Sequence, residues 1–249
     1  MVSAKARTAI ALTGTAMLFA PLLAAASPAQ ATASETVTYR ITIVNGTFGQ
    51  PFSPIVAATH RQSVHLFQVG SLASTQIAAI AQGGDESSAG ALLESLPANR
   101  ITDIVRPGQP LTPAGVTGKP FPSVQTFDIE ARPGDRLSLA TMLICTNDGF
   151  TGVDSIKLPR TGGAVVPLNA YDAGVERNTE RSIDLVDPCS GLGPVVLPGD
   201  PNGNIDGAPV ANKVKRAISM HTGVKGKADL LNAHDWGKGP VGSVTITRI

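Results

Sequence analysis

The amino-acid sequence predicts an all-β fold, an antiparallel β-sandwich with short helices in its connecting loops. Three observations favour this fold. Apolar and polar residues alternate with a period of two near both ends of the chain, which is typical of strands with one buried face. The 249 residues include 26 Gly and 19 Pro, which indicates many turns. Helical patterns are few and short.

The strands are predicted in order along the chain. Apolar side chains occupy every second position over residues 37–43 and again over 244–246. The first and last segments are therefore expected to be strands of one sandwich that lie side by side. Arg132-Pro133-Gly134-Asp135 is a turn by composition, and the apolar run 137–144 after it is predicted to be a strand buried on both faces. Further predicted strands are 64–69, 127–130, 155–158 and 165–168.

Two short helices are predicted between the first strands. Residues 75–81 and 88–96 can each form two or three turns, with Gly83-Gly84-Asp85 between them and Pro97 after the second. Residues 105–123 and 188–209 are rich in Pro and Gly and are expected to be irregular loops.

The charge balance argues against a nucleic-acid-binding protein. Lys and Arg total 20 and Asp and Glu total 19, for a formal net charge of +1. Nucleic-acid binders usually carry a clustered excess of basic residues. With 42% apolar residues, the chain is also too apolar to be disordered throughout.

The first 33 residues are predicted to be a secretory signal peptide. Lys5 and Arg7 precede an apolar stretch, and Ala31-Thr32-Ala33 is a small-residue cleavage pattern. The alternative is an N-terminal membrane anchor, although the apolar core is short and diluted by Thr. Cleavage would leave a single domain at 34–249 with 216 residues and a net charge of −1. No other segment approaches a membrane span, and we therefore expect no stable one.

The two cysteines, Cys145 and Cys189, are predicted to form a disulfide. An even number of cysteines in an exported chain favours pairing. Closing a loop of 44 residues would stabilise the fold by roughly 4 kcal/mol in the chain-entropy model. The alternative is a pair of buried free thiols.

Known catalytic motifs are absent from the sequence. The chain contains no H-E-x-x-H, G-x-S-x-G or P-loop pattern. His60 and His65 lie five residues apart, without a Cys or Asp at zinc-ligand spacing. A Ser-His-Asp triad stays open as an alternative, since its members need not be close in sequence.

Three loops are rich in oxygen-bearing side chains. The loop at 200–207 resembles half of an EF-hand, but Ile205 and Ala211 occupy the positions of the required glycine and bidentate acid. The loops at 146–155 and 169–180 contain Asp148, Asp154 and Asp172, which loops at one end of a sandwich can bring together. Clustered carboxylates repel one another, and a calcium ion would relieve the repulsion. The alternative is that these acids cap turns and face water.

The residues around Cys145 carry a family resemblance. The segment 143–155, with Thr146-Asn147-Asp148-Gly149 at its centre, resembles a block of the spondin (F-spondin) domain of bacterial secreted proteins and of animal F-spondin and mindin. The resemblance spans roughly residues 37 to 249. Further similar blocks are 52–74, 81–85, Tyr171-Asp172-Ala173-Gly174, His221-Thr222-Gly223 and Asp235-Trp236.

The resemblance implies an eight-stranded antiparallel β-sandwich with calcium bound by loops at one end, and adhesion in the animal members. It assigns the metal to Asp148, Asp154 and Asp172, and its weaker candidates are Asp85, Glu94 and Glu176. The chain departs from the family pattern at Gln82, where members often have an acid, and it lacks the thrombospondin-type repeats of the animal proteins.

The function predicted from the sequence is a secreted, non-enzymatic, calcium-binding module that acts in surface association or adhesion. Its partner would be an extracellular protein or glycan. A carbohydrate- or cell-wall-binding module is the first alternative, although the single Trp and two Tyr offer few rings for stacking on sugars. A hydrolase with an unrecognised site is the second.

Overall fold

A computed structural model describes residues 35–114, 121–202 and 207–249. The predicted signal peptide at 1–33 lies outside the described residues, as does part of the EF-hand-like loop. In the described ranges, no helix combines the length and the apolar character needed to cross a lipid bilayer.

In the described residues, nine strands form the framework of the domain. They are β1 (Val37–Asn45), β2 (Val56–His60), β3 (Ile101–Val105), β4 (Val124–Ala131), β5 (Arg136–Met142), β6 (Gly149–Lys157), β7 (Gly163–Asp172), β8 (Ser219–Met220) and β9 (Gly242–Arg248). The α-helices are α1 (Thr75–Gly83), α2 (Glu86–Ser95) and α3 (Cys189–Leu192), and two 3₁₀ turns cover Ser182–Asp184 and Asn232–His234.

The strands join into one nearly closed, barrel-like antiparallel sheet. Its order is β3-β2-β5-β6-β7-β9-β1-β4, and the two-residue β8 pairs with β7 away from this path. The expected proximity of the first and last strands is confirmed, because β1 pairs with β9 from Tyr39–Arg248 to Asn45–Gly242. The all-β, antiparallel fold class predicted from the sequence is thus found.

The strand β7 pairs with a different neighbouring strand in each part of its length. Residues 163–168 pair with β9, whereas 169–172 pair with β6. Beyond Gly152, β6 therefore diverges from β7.

The predicted helices are confirmed close to their expected bounds. The Ser74 hydroxyl caps α1 by accepting the Ile77 amide, and Gly84 ends the helix in a left-handed conformation. Asp85 then caps α2 by accepting the amides of Ser87 and Ser88.

One strand prediction is wrong, and three strands, β2, β3 and the two-residue β8, were not predicted. Residues 64–69 form an irregular segment and no strand, because the amides of Leu66 and Phe67 donate to the Asp154 carboxylate and not to a neighbouring strand. The missed strand β2 is buried at every position, so its sequence shows no alternation. The missed β3 pairs with β2 at the edge of the sheet.

The core has three parts. Apolar side chains of β1, β2, β4, β5, β6, β7 and β9 fill the interior of the sheet, and α1 and α2 cover its outer surface around Val56, Ala140 and Phe150. Because Leu137 and Leu139 face the interior while Ala140 faces the helices, β5 is buried on both faces, as predicted.

The third core lies around the disulfide. Cys145 and Cys189 are bonded, which confirms the predicted pairing. Both are buried, and Ile144 and Leu185 pack near them. The disulfide ties the loop after β5 to α3.

Candidate metal centre at the acidic end of the sheet

Two of the predicted ligands, Asp148 and Asp172, lie at the same end of the sheet. Asp148 is the last residue before β6, and Asp172 ends β7 opposite Gly149, the first residue of β6. The loop after β7 then returns to Asp148, because the Ala173 amide donates to the Asp148 carbonyl at 3.0 Å. We call the group Asp148, Asp172 and Glu176 the acidic end.

Asp148 is fully buried and only partly hydrogen-bonded. Its Oδ2 accepts the amides of Val175 at 2.7 Å and Glu176 at 2.8 Å. Its Oδ1 is buried without a hydrogen-bond partner among the described residues. Burial raises the pKa of this carboxyl from 3.8 to about 6, and the charge of Asp172 adds to the rise.

Glu176 is the second buried carboxylate, with 3% of its surface exposed. Its Oε1 accepts the Gln82 amide at 2.6 Å, while its Oε2 has no hydrogen-bond partner in the described structure. Burial raises the pKa of Glu176 from 4.5 to about 7 against the lowering effect of Gln82, and the charges of Asp148 and Asp184 raise it further.

Asp172 is more fully hydrogen-bonded than the other two acids. Its Oδ1 accepts the Gly174 amide and its Oδ2 accepts the Asn178 side-chain amide, both at 2.7 Å. Gly174 adopts φ +72°, and a Cβ there would lie 2.4 Å from the Arg216 carbonyl oxygen. The sharp turn that carries the chain from Asp172 to Glu176 therefore requires glycine.

Asp154 does not join the acidic end. It lies on β6, five residues beyond Gly149, a distance of roughly 16 Å along an extended strand. Its Oδ1 accepts the Leu66 amide at 2.6 Å, and its Oδ2 lies 2.5 Å from His65 Nδ1. Both oxygens therefore contact residues of the segment 61–70, which we call the 61–70 turn.

No group of three acidic side chains in the described ranges brings its ligand oxygens within 4.8 Å of one another. Two ligands of one calcium ion lie at most about 4.8 Å apart, since each is about 2.4 Å from the metal. A shared ion would therefore be held directly by at most two of these carboxylates. The group that does meet this distance is Cys145, Cys189 and His234, whose sulfurs are joined in the disulfide and provide no thiolate.

A family model for Spondin_N matches residues 45–183, which is more than half of the chain. The chain belongs to the Spondin_N family. This match confirms the resemblance seen in the sequence, and membership supports a non-catalytic extracellular module. A comparison with curated proteins gave no match. The buried disulfide is consistent with an extracellular location.

The weaker metal candidates of this Spondin_N domain divide between two places. Glu176 lies at the acidic end. Asp85 caps α2, and its pKa is lowered by hydrogen bonds from the hydroxyls of Ser87 and Ser88. Glu94 pairs with Arg106 at 3.2 Å. In the sequence, Glu176 is indicated only as a weaker metal candidate implied by the family resemblance. Gln82 is indicated only by its departure from the family pattern.

A second polar cluster of the Spondin_N domain contains serine, histidine and aspartate. His60 Nε2 lies 2.7 Å from Ser138 Oγ, which lies 3.1 Å from Asp154 Oδ1. Ser138 Oγ also accepts the Ser155 amide, and only 1% of Ser138 is exposed. The Ser138 hydroxyl lies as close to His60 as a nucleophilic serine lies to its general base. Its burial, however, prevents a substrate from reaching it. The cluster holds the 61–70 turn against β5 and β6.

Proposed function

We propose that this protein is a secreted, non-enzymatic, calcium-binding module that acts in surface association or adhesion, with calcium held by Asp148 and Glu176. The observation that carries the proposal is that Asp148 Oδ1 and Glu176 Oε2 are buried and have neither a hydrogen bond nor an ion pair with any described residue. Buried ionised groups are normally paired or coordinated to metal, because an uncompensated buried charge is costly.

The chemistry of the acidic end suits a hard cation. Calcium binds six to eight oxygens from carboxylates, amides, carbonyls and water. Asp148 and Glu176 supply two carboxylates, and Gln82, whose side-chain amide nitrogen donates to Glu176 Oε1, adds a neutral side chain in place of a third. This amide stands where members of the family often have an acid, so the site is less negative and is expected to bind calcium more weakly.

Asp172 is assigned a supporting role. Its charge acts on Asp148, but its carboxylate does not form a ligand group within 4.8 Å with the two buried acids. It would attract the cation and contact it through water. Weak binding fits an exported module, since extracellular calcium modules work with Kd values of about 10⁻⁴ to 10⁻³ M.

Calcium-dependent thermal stability tests the metal site. For a Kd of about 1 mM, 10 mM calcium should add about 1.4 kcal/mol and raise the Tm by about 3 to 5 °C, with reversal by a chelator. Asp148→Asn and Glu176→Gln should each reduce this shift strongly. Asp154→Asn is the matched control and should keep the full shift. An unchanged Tm in millimolar calcium, or an equal shift in all three variants, would refute the site.

Surface association rests on family membership and has its own test. Fluorescently labelled protein should stay on washed cells of the organism that produces it when calcium is present, and should be released by a chelator. Retention by purified cell-wall polysaccharide alone would favour the carbohydrate-binding alternative. Turnover of ester or glycoside substrates that is lost in Ser138→Ala would overturn the non-enzymatic assignment.

A further inference from the structure

A cavity of about 480 Å³ opens at the end of the sheet opposite to the acidic end. The start of β1, the β4–β5 turn, the end of β6 and the end of β9 surround it. Lys157, the last residue of β6, lies roughly 26 Å along that strand from Gly149, which adjoins Asp148. The two ends are therefore separate sites.

Five basic side chains line this cavity, which we call the basic cavity. They are Arg132, Arg136, Lys157, Arg160 and Arg248. They come from three chain segments, at the β4–β5 turn, at the end of β6 and at the end of β9, so the sequence shows no basic cluster. In the described part of the chain, none of the five forms an ion pair with an acid.

The one acid in the lining does not neutralise these cations. Asp135 is buried, and its Oδ1 lies 3.0 Å from Arg61 Nη1, an ion pair outside the lining. Its Oδ2 accepts the Arg132 backbone amide and the Thr102 hydroxyl. Because Asp135 is already paired with Arg61, it offsets little of the charge of the five cations, which repel one another.

Neutral acceptors orient three of the guanidinium groups. Arg132 donates to the Ala98 carbonyl at 3.1 Å, Arg136 donates to Gln62 Oε1 at 3.2 Å, and Arg248 donates to the Arg160 carbonyl. Each guanidinium has five N–H donors, so one such bond leaves most of them free. These contacts hold the groups in place without cancelling their charge.

The floor of the cavity is apolar. Ala131 and Leu158 are buried there, and Tyr39 turns its hydroxyl to the Pro159 carbonyl at 2.9 Å. A concave site of this volume, with an apolar floor and a few oriented polar groups, has the form of a small-ligand site. Arginine forks match tetrahedral oxyanions and carboxylates through paired hydrogen bonds.

We propose that the basic cavity binds an anionic ligand the size of a disaccharide that carries two or more phosphate or sulfate groups. The cations surround the opening from three chain segments, so a ligand with several anionic groups satisfies more of them than a single ion does. The carbon skeleton of the ligand rests on the apolar floor. The ligand can be a free oligophosphate or a segment of a phosphorylated or sulfated glycan.

Calorimetric titration at low ionic strength tests the proposal with two probes, tripolyphosphate and sucrose octasulfate, and with neutral sucrose as the blank. At least one charged probe should bind, with an affinity that falls as salt rises, and sucrose should not. Tighter binding of the sulfated disaccharide supports a glycan source, and tighter binding of tripolyphosphate supports a free oligophosphate.

Matched variants locate the binding. Lys157→Gln/Arg160→Gln and, separately, Arg248→Gln should each weaken binding by roughly tenfold or more. Lys238→Gln removes an exposed cation elsewhere and should leave the affinity unchanged. Binding of neither charged probe, or binding that Lys238→Gln weakens as much as the cavity variants do, would overturn the proposal. Asp148→Asn should not affect these titrations, so they are independent of the calcium site.

Discussion

At the acidic end, Asp148 and Glu176 are buried, and each keeps one carboxylate oxygen that no described residue hydrogen-bonds, whereas at the basic cavity five cations surround an opening to solvent. Buried carboxylates need compensation for the fold itself, since their charge is removed from water. Exposed cations stay hydrated and require no partner until a ligand arrives. A ligand at the acidic end is therefore structural, and one at the basic cavity is exchangeable. The net charge of +1 conceals this separation.

Removing the disulfide should have the largest effect on stability. Of the two binding sites, it should affect only the acidic end. Cys145→Ala/Cys189→Ala releases a 44-residue loop and should lower the free energy of unfolding by roughly 4 kcal/mol. It should also weaken the calcium response, because Cys145 tethers the loop that carries Asp148. Urea denaturation with and without calcium measures both. Oligoanion binding at the basic cavity should survive, and a parallel loss there would show that the two ends are not independent.

Two glycines with positive φ provide a matched test of rigidity at the two ends. Gly174→Ala should cost roughly 3 kcal/mol, since strain adds to a clash with the Arg216 carbonyl oxygen. Gly134→Ala, in the turn beside the basic cavity, has nothing within 4 Å of its Cβ and should cost only about 1 kcal/mol. Equal losses in thermal denaturation would mean that the loop at Gly174 adapts freely.

The pH dependence of stability should distinguish the acidic end. The pKa values of Asp148 and Glu176 are raised in the folded state to about 6 and about 7, so the folded protein binds these protons more tightly than the unfolded chain does. Without calcium, their contribution to stability is full below about pH 4 and is lost by about pH 7, on the order of 2 kcal/mol after allowance for their coupling.

The control for this effect is Asp148→Asn/Glu176→Gln, because the histidines with lowered pKa values, His60, His221 and His234, are present in both proteins and cancel. The difference in unfolding free energy between wild type and the double variant should fall with rising pH in the absence of calcium. Saturating calcium should remove or reverse that slope. A flat difference in both conditions would contradict the assignment.

The smallest effect is expected from the unliganded basic cavity. Lys157→Gln/Arg160→Gln should change the unfolding free energy by less than about 0.5 kcal/mol, with a slight gain at low ionic strength because repulsion is relieved. The gain should vanish at high salt. A loss above 1 kcal/mol would show that these cations support the fold and are not held ready for a ligand.

The sequence predicted most of the framework because its strands alternate at the two ends of the chain and β5 is a continuous apolar run. The strand prediction failed at 64–69, where buried apolar residues lie in an irregular segment. There the amides of Leu66 and Phe67 donate to the Asp154 carboxylate. That contact spans nearly ninety residues of sequence and has no local signal. The buried small residues of β2 likewise lack a period that distinguishes a strand.

The candidate site was predicted in part. Asp148 and Asp172 meet because the register of β6 and β7 places Gly149 opposite Asp172, and Glu176 joins them through the turn at Gly174. Asp154 lies farther along β6, and only the register reveals this distance. The basic cavity could not be predicted, since its cations lie in segments that are adjacent only after the sheet closes.

The pairing of β1 with β9 has a consequence for how the protein folds. The strand at 37–45 cannot complete its hydrogen bonds on that side until the segment 242–248, some two hundred residues later, has been synthesised. Loop closure over such a separation makes folding slow and leaves an apolar strand edge unpaired meanwhile. The sheet can therefore close only after β9 has been synthesised, and until then a chaperone can bind the unpaired edge of β1.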